Sequence, residues 1–510
     1  VAAKAEQSTL NLIKTAPLSG SGPLYMRVAD AIARLIADGK LARGAAMPRV
    51  RDLAEHLHVS IVTAAHAYRV LGERGRLAGR PGVGTYVAEP PARPSEPPMP
   101  DAQNLVWQES FIRPRAQTNL SYIYRLPHAC SNAQYSFFSV PAYGGEMLAP
   151  SRRAMRRIAL DSEFSTVLPT DTQGAPDLRA AIAAHLHDEG IETGADRVLV
   201  TNSHEETLIL ALLAFCHEGD VVAMEDPGQF CMVDAVRLRG LRMIGIPMDD
   251  KGMRTDILEA AAGREPIRLV ITTPRAHNPT GLELDPARRE HLMALAAKHN
   301  WLIFECDPFA PLTYRGRPQL PLYVNDRDGR VIYARPLSRG LLMNMAATLA
   351  TGRVLEQLVQ AKDVIDRGSD VFLQLVLRRL FEAGSIARQD AQMRRQWSDQ
   401  LSALLGALER NMPHSLRWTR PRAGGSVWVT MPDGCSGEAL LARALEKNIS
   451  FIPGRAFSVN DRHERSFRLA IGTLSPAQIM EGIKRLGAVV TNYVAEAGRG
   501  RPRAPVAKVS

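Results

Sequence analysis

The chain is 510 residues long, 45% hydrophobic and 23% charged, with a formal net charge of +10; it is too long for one core and ordinary for folded globular units. Its 38 Gly and 34 Pro are too few for a fibrous or low-complexity chain, and no apolar stretch approaches the ~18 residues of a membrane span. Five scattered cysteines, Cys130, Cys216, Cys231, Cys306 and Cys435, show no zinc-ligand spacing, argue against a disulfide framework and suit a reducing cytoplasm.

The opening VAAKAEQSTLNLIK lacks a basic segment followed by an apolar one, so no secretory leader is expected. Residues 1–90 hold 12 Lys/Arg against 7 Asp/Glu, a net of +5, and residues 496–510 a net of +3, so the long middle carries only +2. A small basic N-terminal unit is one footprint of a nucleic-acid partner. Solvated surface charge is the plainer account, and the motifs have to decide between them.

In chain order, Pro23–Gly39 places Leu24, Val28, Ile32, Leu35 and Ile36 at helical spacing, with Gly39 as a stop. Pro48–Val59 gives a short helix carrying Leu53, Ala54 and Leu57. After a tight turn at residues 58–60, Ser60 caps a third helix that ends at Gly75. Two short helices across such a turn make a helix-turn-helix, whose second helix enters the major groove. Residues 77–87 read as a two-stranded wing, with Gly82 and Gly84 at its turn. This order, PLY…VRDLA…VS…T…AY…GVGTYV, resembles the winged helix-turn-helix of GntR regulators over residues 20–90. The resemblance implies that Arg51, Ser60, Thr63, Tyr68, Gly84 and Thr85 lie at or beside double-stranded operator DNA. Two departures stand out: Arg49 where the family commonly has Ser, and Ile61 where it commonly has Arg. Losing an Arg there removes a phosphate or base contact, and Arg49 restores some electrostatics. Affinity is therefore expected to persist while the operator sequence changes.

Residues 91–118 follow as a Pro-rich linker, since six prolines fall within Ala88–Asp101 and such a run forms neither helix nor central strand. Beyond it, strand-like runs at 197–201, 220–224, 267–272, 301–304 and 331–333 alternate with helical patterns, which predicts a largely parallel sheet covered on both faces. SVWVTM and SFRLAIG alternate like half-exposed strands and predict a small C-terminal α+β subdomain. From residue 497 a Gly/Pro/Arg-rich tail is expected to be disordered.

Five motifs of this segment, GAPDLR at 174–179, DPG at 226–228, HNPTG at 277–281, ECDPF at 305–309 and SFRLAIG at 466–472, are each weak alone. In this order they resemble the α/β fold-type I pyridoxal-phosphate transferases of the aspartate aminotransferase class, here over a domain of residues 119–490. A GntR-type winged helix (α+β), a linker and this domain together resemble the MocR subfamily of bacterial regulators. The resemblance makes Asp307 the partner of the pyridinium nitrogen, Asn278 the donor to the ring oxygen and Arg468 the clamp for a substrate carboxylate.

Other positions depart from the family. Arg339 stands where the imine-forming lysine belongs, Ala346 where a phosphate-binding Arg belongs, and Asn202-Ser203-His204-Glu205-Glu206 where S-G-A-Q-Q is common. Gln229 and Phe309 each replace a tyrosine. A guanidinium stays protonated and forms no such imine, and the lysines after residue 100 are Lys251, Lys298, Lys362, Lys447, Lys484 and Lys508, none within 20 positions of Arg339. Arg339 pairs with Asp307 as a structural ion pair, or forms with Arg468 an anion or effector pocket that includes Ser203, His204, Asn278 and Phe309. The expectation is a cytoplasmic, homodimeric DNA-binding regulator that senses a small molecule, with no catalytic residue, no metal, no covalent cofactor and no membrane partner. The alternatives are non-covalent pyridoxal 5'-phosphate, an active aminotransferase, and an architectural DNA-binding dimer without a ligand.

Overall fold

Apolar residues three and four apart fold the N-terminal unit as its sequence predicts. The computed structural model describes residues 2–18, 22–80, 84–88, 122–123, 126, 129–138, 148–160, 171–310, 312–314, 316–337, 344–472 and 474–499. They belong to two compact units that divide between Pro114 and Arg115. The first contains α1 (Ala2–Thr15), α2 (Leu24–Ala37), α3 (Val50–Leu57), α4 (Ile61–Glu73) and the antiparallel pair β1 (Leu77–Arg80) and β2 (Gly84–Val87). Val28, Ile32, Leu53, Ala64, Ala67 and Leu71 meet in one core. His58 takes a left-handed conformation, φ 53°, to end α3, and the Ser60 hydroxyl accepts from the Thr63 N–H at 3.1 Å to start α4. Leu10 and Ile13 of α1 are buried in the same core, so this unit begins before the expected boundary at residue 20. Leu10, Leu12 and Ile13, clustered at one end of a polar stretch, carry too little periodicity to announce that helix. Gly84 has φ 138° at the wing, whereas Gly82 and the linker 91–118 lie outside the described residues.

The second unit runs through α5 (Ala129–Asn132), β3 (Tyr135–Phe137), α6 (Ala149–Leu160), α7 (Pro176–Asp188), β4 (Val198–Thr201), α8 (His204–Phe215), β5 (Val221–Asp226), α9 (Phe230–Leu238), β6 (Arg242–Asp249), β7 (Gly252–Met253), α10 (Thr255–Ala262), β8 (Ile267–Thr272), α11 (Pro286–His299), β9 (Leu302–Cys306), β10 (Val331–Pro336), β11 (Ala346–Leu349), α12 (Gly352–Ile365), α13 (Val371–Glu382), α14 (Ser385–Asn411), β12 (Arg417–Trp418), β13 (Ser426–Thr430), α15 (Gly437–Leu445), β14 (Ile449–Pro453), β15 (Ser466–Ala470) and α16 (Pro476–Arg499). Eight strands form one sheet in the order β4-β11-β10-β9-β8-β5-β6-β7. Strands β10, β9, β8, β5 and β6 are mutually parallel, while β11 and β7 run antiparallel to their neighbours.

Alternation along these strands builds two cores. Val198, Val200, Ala223, Val270, Ile303 and Tyr333 face α7, α11 and α13, and Leu199, Val222, Met224, Phe304 and Ile332 face α8, α9 and α12. Continuous apolar runs such as IRLVIT are the mark of a strand buried on both faces. The small subdomain is a five-stranded sheet, β12-β13-β15-β14-β3, packed on α14, α15 and α16. Helix α16 continues to Arg499 with Ala497 against that core, so residues 497–499 are helix rather than the expected tail; residues 500–510 lie outside the described residues.

Candidate functional site

At the helix-turn-helix, Arg49, Arg51, Ser60 and Gly84 are exposed, and Thr63 and Thr85 are half-buried. Arg49 occupies the N-cap position of α3 with its side chain uncommitted to the cap. Tyr68 departs from expectation. It is buried and its hydroxyl donates to the Pro48 carbonyl at 2.8 Å, so it ties α4 to the entry of α3 and is turned away from any ligand. Burial pushes its phenol pKa well up.

In the large unit, the strand ends of the parallel sheet carry the candidate pocket, where ligands of open α/β sheets bind. Asp307 follows β9 directly and is buried. Its Oδ2 accepts from the Tyr333 hydroxyl at 2.8 Å and from the Arg275 guanidinium, while its buried Oδ1 has no hydrogen-bond partner. Arg275 also donates to the Gln319 carbonyl at 2.7 Å and to the Tyr333 hydroxyl at 3.2 Å. Among the described residues the cation beside Asp307 is Arg275, which sequence reasoning passed over. It lies three residues before Asn278 in an otherwise apolar or polar turn, and only the fold of that turn shows where it points. Arg339 lies outside the described residues.

The HNPTG turn is rigid. His277 is buried, Nδ1 is 2.8 Å from the Thr280 hydroxyl, and burial pulls its pKa down to about 3. Gly281 has φ 69°, and a Cβ there would lie 2.7 Å from Pro421 and from the Ser426 carbonyl, so glycine lets the turn touch the small subdomain. The Ser426 hydroxyl donates to the Pro279 carbonyl at 3.0 Å. Across this seam Arg468, on β15, donates to Asn278 Oδ1 at 3.2 Å and to the Phe138 carbonyl, and its guanidinium lies 5.1 Å above the Phe457 ring. Arg468 is buried, has an unpartnered Nε and, among the described residues, meets no carboxylate; desolvation pulls its pKa down to about 10, so it stays cationic at neutral pH. Phe309 is buried in the small subdomain's core, its ring centroid 6.1 Å from that of Trp397.

The start of α8 is the third part. Ser203 caps it, its hydroxyl accepting from the Glu206 N–H at 3.0 Å. His204 Nε2 lies 3.2 Å from Glu205, and Glu205 also accepts from the Cys231 thiol at 3.8 Å. Glu206 meets the fully buried Lys362, whose ammonium donates at 2.7 Å to Glu206 and at 2.7 Å to Asp366. Lys362 was only one of the six lysines after residue 100; its spacing of four from Asp366, which caps the end of α12, was the available signal. Ala346 is buried beside Thr201 in register, so its methyl group occupies the strand next to this helix start. Among the described residues His185, Glu189 and Asp390 converge closely enough for a cation, but buried Arg335 already holds both Glu189 oxygens, at 2.5 and 3.2 Å. Burial raises the Glu189 pKa, and Arg335 and His185 more than reverse this, holding the carboxyl far below its usual range.

Comparison with known proteins identifies this arrangement. Residues 140–486 match aminotransferase class I and II, and residues 24–87 match bacterial regulatory proteins of the gntR family. The chain is a MocR-type member of the aminotransferase class I and II family. This MocR-type chain is 27% identical over 472 residues to the HTH-type transcriptional regulator YjiR of Escherichia coli, covering 91% of this chain and 98% of the relative. It is 30% identical over 404 residues to 2-aminoadipate transaminase of Thermus thermophilus, covering 77% and 99%. Among solved structures, the α-aminoadipate aminotransferase LysN of Thermus thermophilus, complexed with N-(5'-phosphopyridoxyl)-L-leucine, superposes with a TM-score of 0.68 at 28% identity, over 76% of this chain and 99% of that one.

Proposed function

We propose that this MocR-type regulator binds operator DNA through its winged helix and senses a small carboxylate in its aminotransferase-like body, without a covalent cofactor and without transaminase chemistry. The observation that carries the reading is Arg468, a buried guanidinium that among the described residues contacts only neutral acceptors. An isolated buried charge is costly unless an anion or hydrogen bonds compensate it, and a carboxylate ligand supplies both, bidentately.

A covalently held pyridoxal phosphate does not fit this donor set. Position 339 offers a guanidinium in place of an amine. Lys362 is pinned as an ammonium between two carboxylates. Glu205 and Glu206 stand in the first turn of α8, where the family resemblance puts a phosphate dianion, and carboxylates repel it. A second reading rests on one atom: the buried, unpartnered Oδ1 of Asp307 suits a pyridinium nitrogen, so a pyridoxal compound held without an imine remains the alternative ligand.

In this reading the chain acts as a homodimer, so that two winged helices address paired half-sites. Effector binding acts by differential affinity for DNA-competent and DNA-incompetent arrangements. Thermal-shift screening of amino acids, other carboxylates and pyridoxal derivatives tests the sensor. At least one carboxylate raises the melting midpoint of the wild-type chain and alters its DNA affinity, and Arg468→Gln abolishes both responses. A panel without effect, or a response that Arg468→Gln leaves intact, refutes the carboxylate site.

A further inference from the structure

The exposed face of α4 is apolar at its N-terminal end. Ala64, Ala67, Tyr68 and Leu71 are the residues this helix buries, so at 100° per residue Val62, Ala65 and Arg69 fall on the opposite side. Ile61 is 53% and Val62 72% exposed, and Ala65 and Arg69 are exposed as well. The polar atoms of the first turn are engaged in capping: Ser60 Oγ and Thr63 Oγ1 lie 2.8 Å apart, and Ser60 Oγ also accepts from the Thr63 N–H. What the helix start extends outward is thus two branched hydrocarbon side chains followed by a methyl group.

A B-form major groove offers one apolar feature on its floor, the C5-methyl of thymine. Hydrogen-bonding side chains read guanine or adenine edges; Ile, Val and Ala have nothing to donate. We propose that Ile61 and Val62, with Ala65 behind them, read thymine methyl groups in each operator half-site, while Arg49, Arg51 and Arg69 hold phosphates. This rests on the DNA-binding reading above and names the base chemistry that the reading requires. It also accounts for why two β-branched residues stay exposed in the first turn of a helix whose other face is fully packed.

The test uses the full chain. Duplexes are enriched from a randomised pool, and the affinity of the best one is measured by fluorescence anisotropy at fixed salt. Each thymine is then replaced by deoxyuridine, which deletes only the methyl. At one or two thymines per half-site, loss of the methyl weakens binding about fourfold each, the factor that burial of one methyl group corresponds to. In Ile61→Ser/Val62→Ser the deoxyuridine penalty vanishes while the slope of affinity against salt is unchanged, because phosphate contacts set that slope. Both side chains are exposed, so the double variant keeps its fold, checked by an unchanged melting midpoint. Enrichment with no deoxyuridine effect, or a penalty that persists in the double variant, overturns the methyl readout alone. A pool from which nothing is enriched overturns the DNA-binding reading itself and the methyl readout with it.

Discussion

At the scale of single residues, two buried ionisable groups show how burial sets chemistry in this body. The carboxyl of Glu225 is pushed up to about 7 by burial, against hydrogen bonds from Thr272 and the Thr273 N–H, and His277 is pulled down to about 3 by burial. They act in opposite directions on stability. Native His277 refuses a proton that the unfolded chain takes up below its ordinary pKa of about 6.5. Its contribution is therefore complete above that pH and is lost as pH falls, by about 2 kcal/mol at pH 5. Glu225 binds its proton more tightly when folded, so its contribution is lost as pH rises from about 4.5 to about 7. His277→Gln, which keeps a partner for Thr280, isolates the first effect. Denaturation followed by tryptophan fluorescence, which reports no part of residues 1–90 because all five tryptophans lie beyond them, gives a wild-type stability that drops by about 2 kcal/mol relative to the variant's from pH 7 to pH 5, since Glu225 shifts both alike. Parallel profiles contradict the assignment. The motifs made Asp307, Asn278 and Arg468 candidates in advance, and the fold sets them just after β9, in the HNPTG turn and within β15. Arg275 carried no signal and Lys362 only its spacing of four from Asp366, since a single sequence does not say which surface-type cation the fold will bury beside which carboxylate.

At the scale of elements, the body leaves an apolar face uncovered. Ile209 and Leu213, one turn apart on α8, are 45% and 39% exposed, and Val364 and Ile365 at the end of α12 are 86% and 55% exposed. The Lys362–Glu206 contact ties these two helices together. Exposed apolar side chains on two linked helices offer the surface on which the proposed second copy of the chain would dock. Ile209→Asp/Val364→Asp then moves the chain from dimer to monomer in sedimentation equilibrium and leaves helix content unchanged; a variant that stays dimeric places the interface elsewhere. Element types were largely legible. The helices of the winged unit follow from 3.6-residue periodicity and caps, and β8 has the bounds its apolar run gave. Strands β3, β6 and β11 escaped notice for a physical reason: YSF, RMIGIPMD and AATL carry a Gly, a Pro, or small residues that become strands only when neighbouring strands supply their hydrogen bonds. The helix α1 escaped because two buried side chains suffice to dock it.

At the scale of the whole molecule, the chain joins a basic winged helix to an aminotransferase-class body; half of its +10 charge lies in residues 1–90 and +3 in the last 15 residues. The body has the fold of its aminotransferase family, with an eight-stranded sheet, a buried aspartate at the end of β9, the HNPTG turn and a buried arginine on β15. What the proposed function adds is that this architecture holds a ligand by charge and hydrogen bonds alone. The most direct test is spectroscopic. Pyridoxal phosphate is added to the full chain, the visible spectrum is recorded, and borohydride is applied before unbound material is removed. The account predicts no reducible imine band and no pyridoxyl label left on the protein. A stoichiometric, borohydride-fixed label on any lysine of residues 119–490 contradicts it.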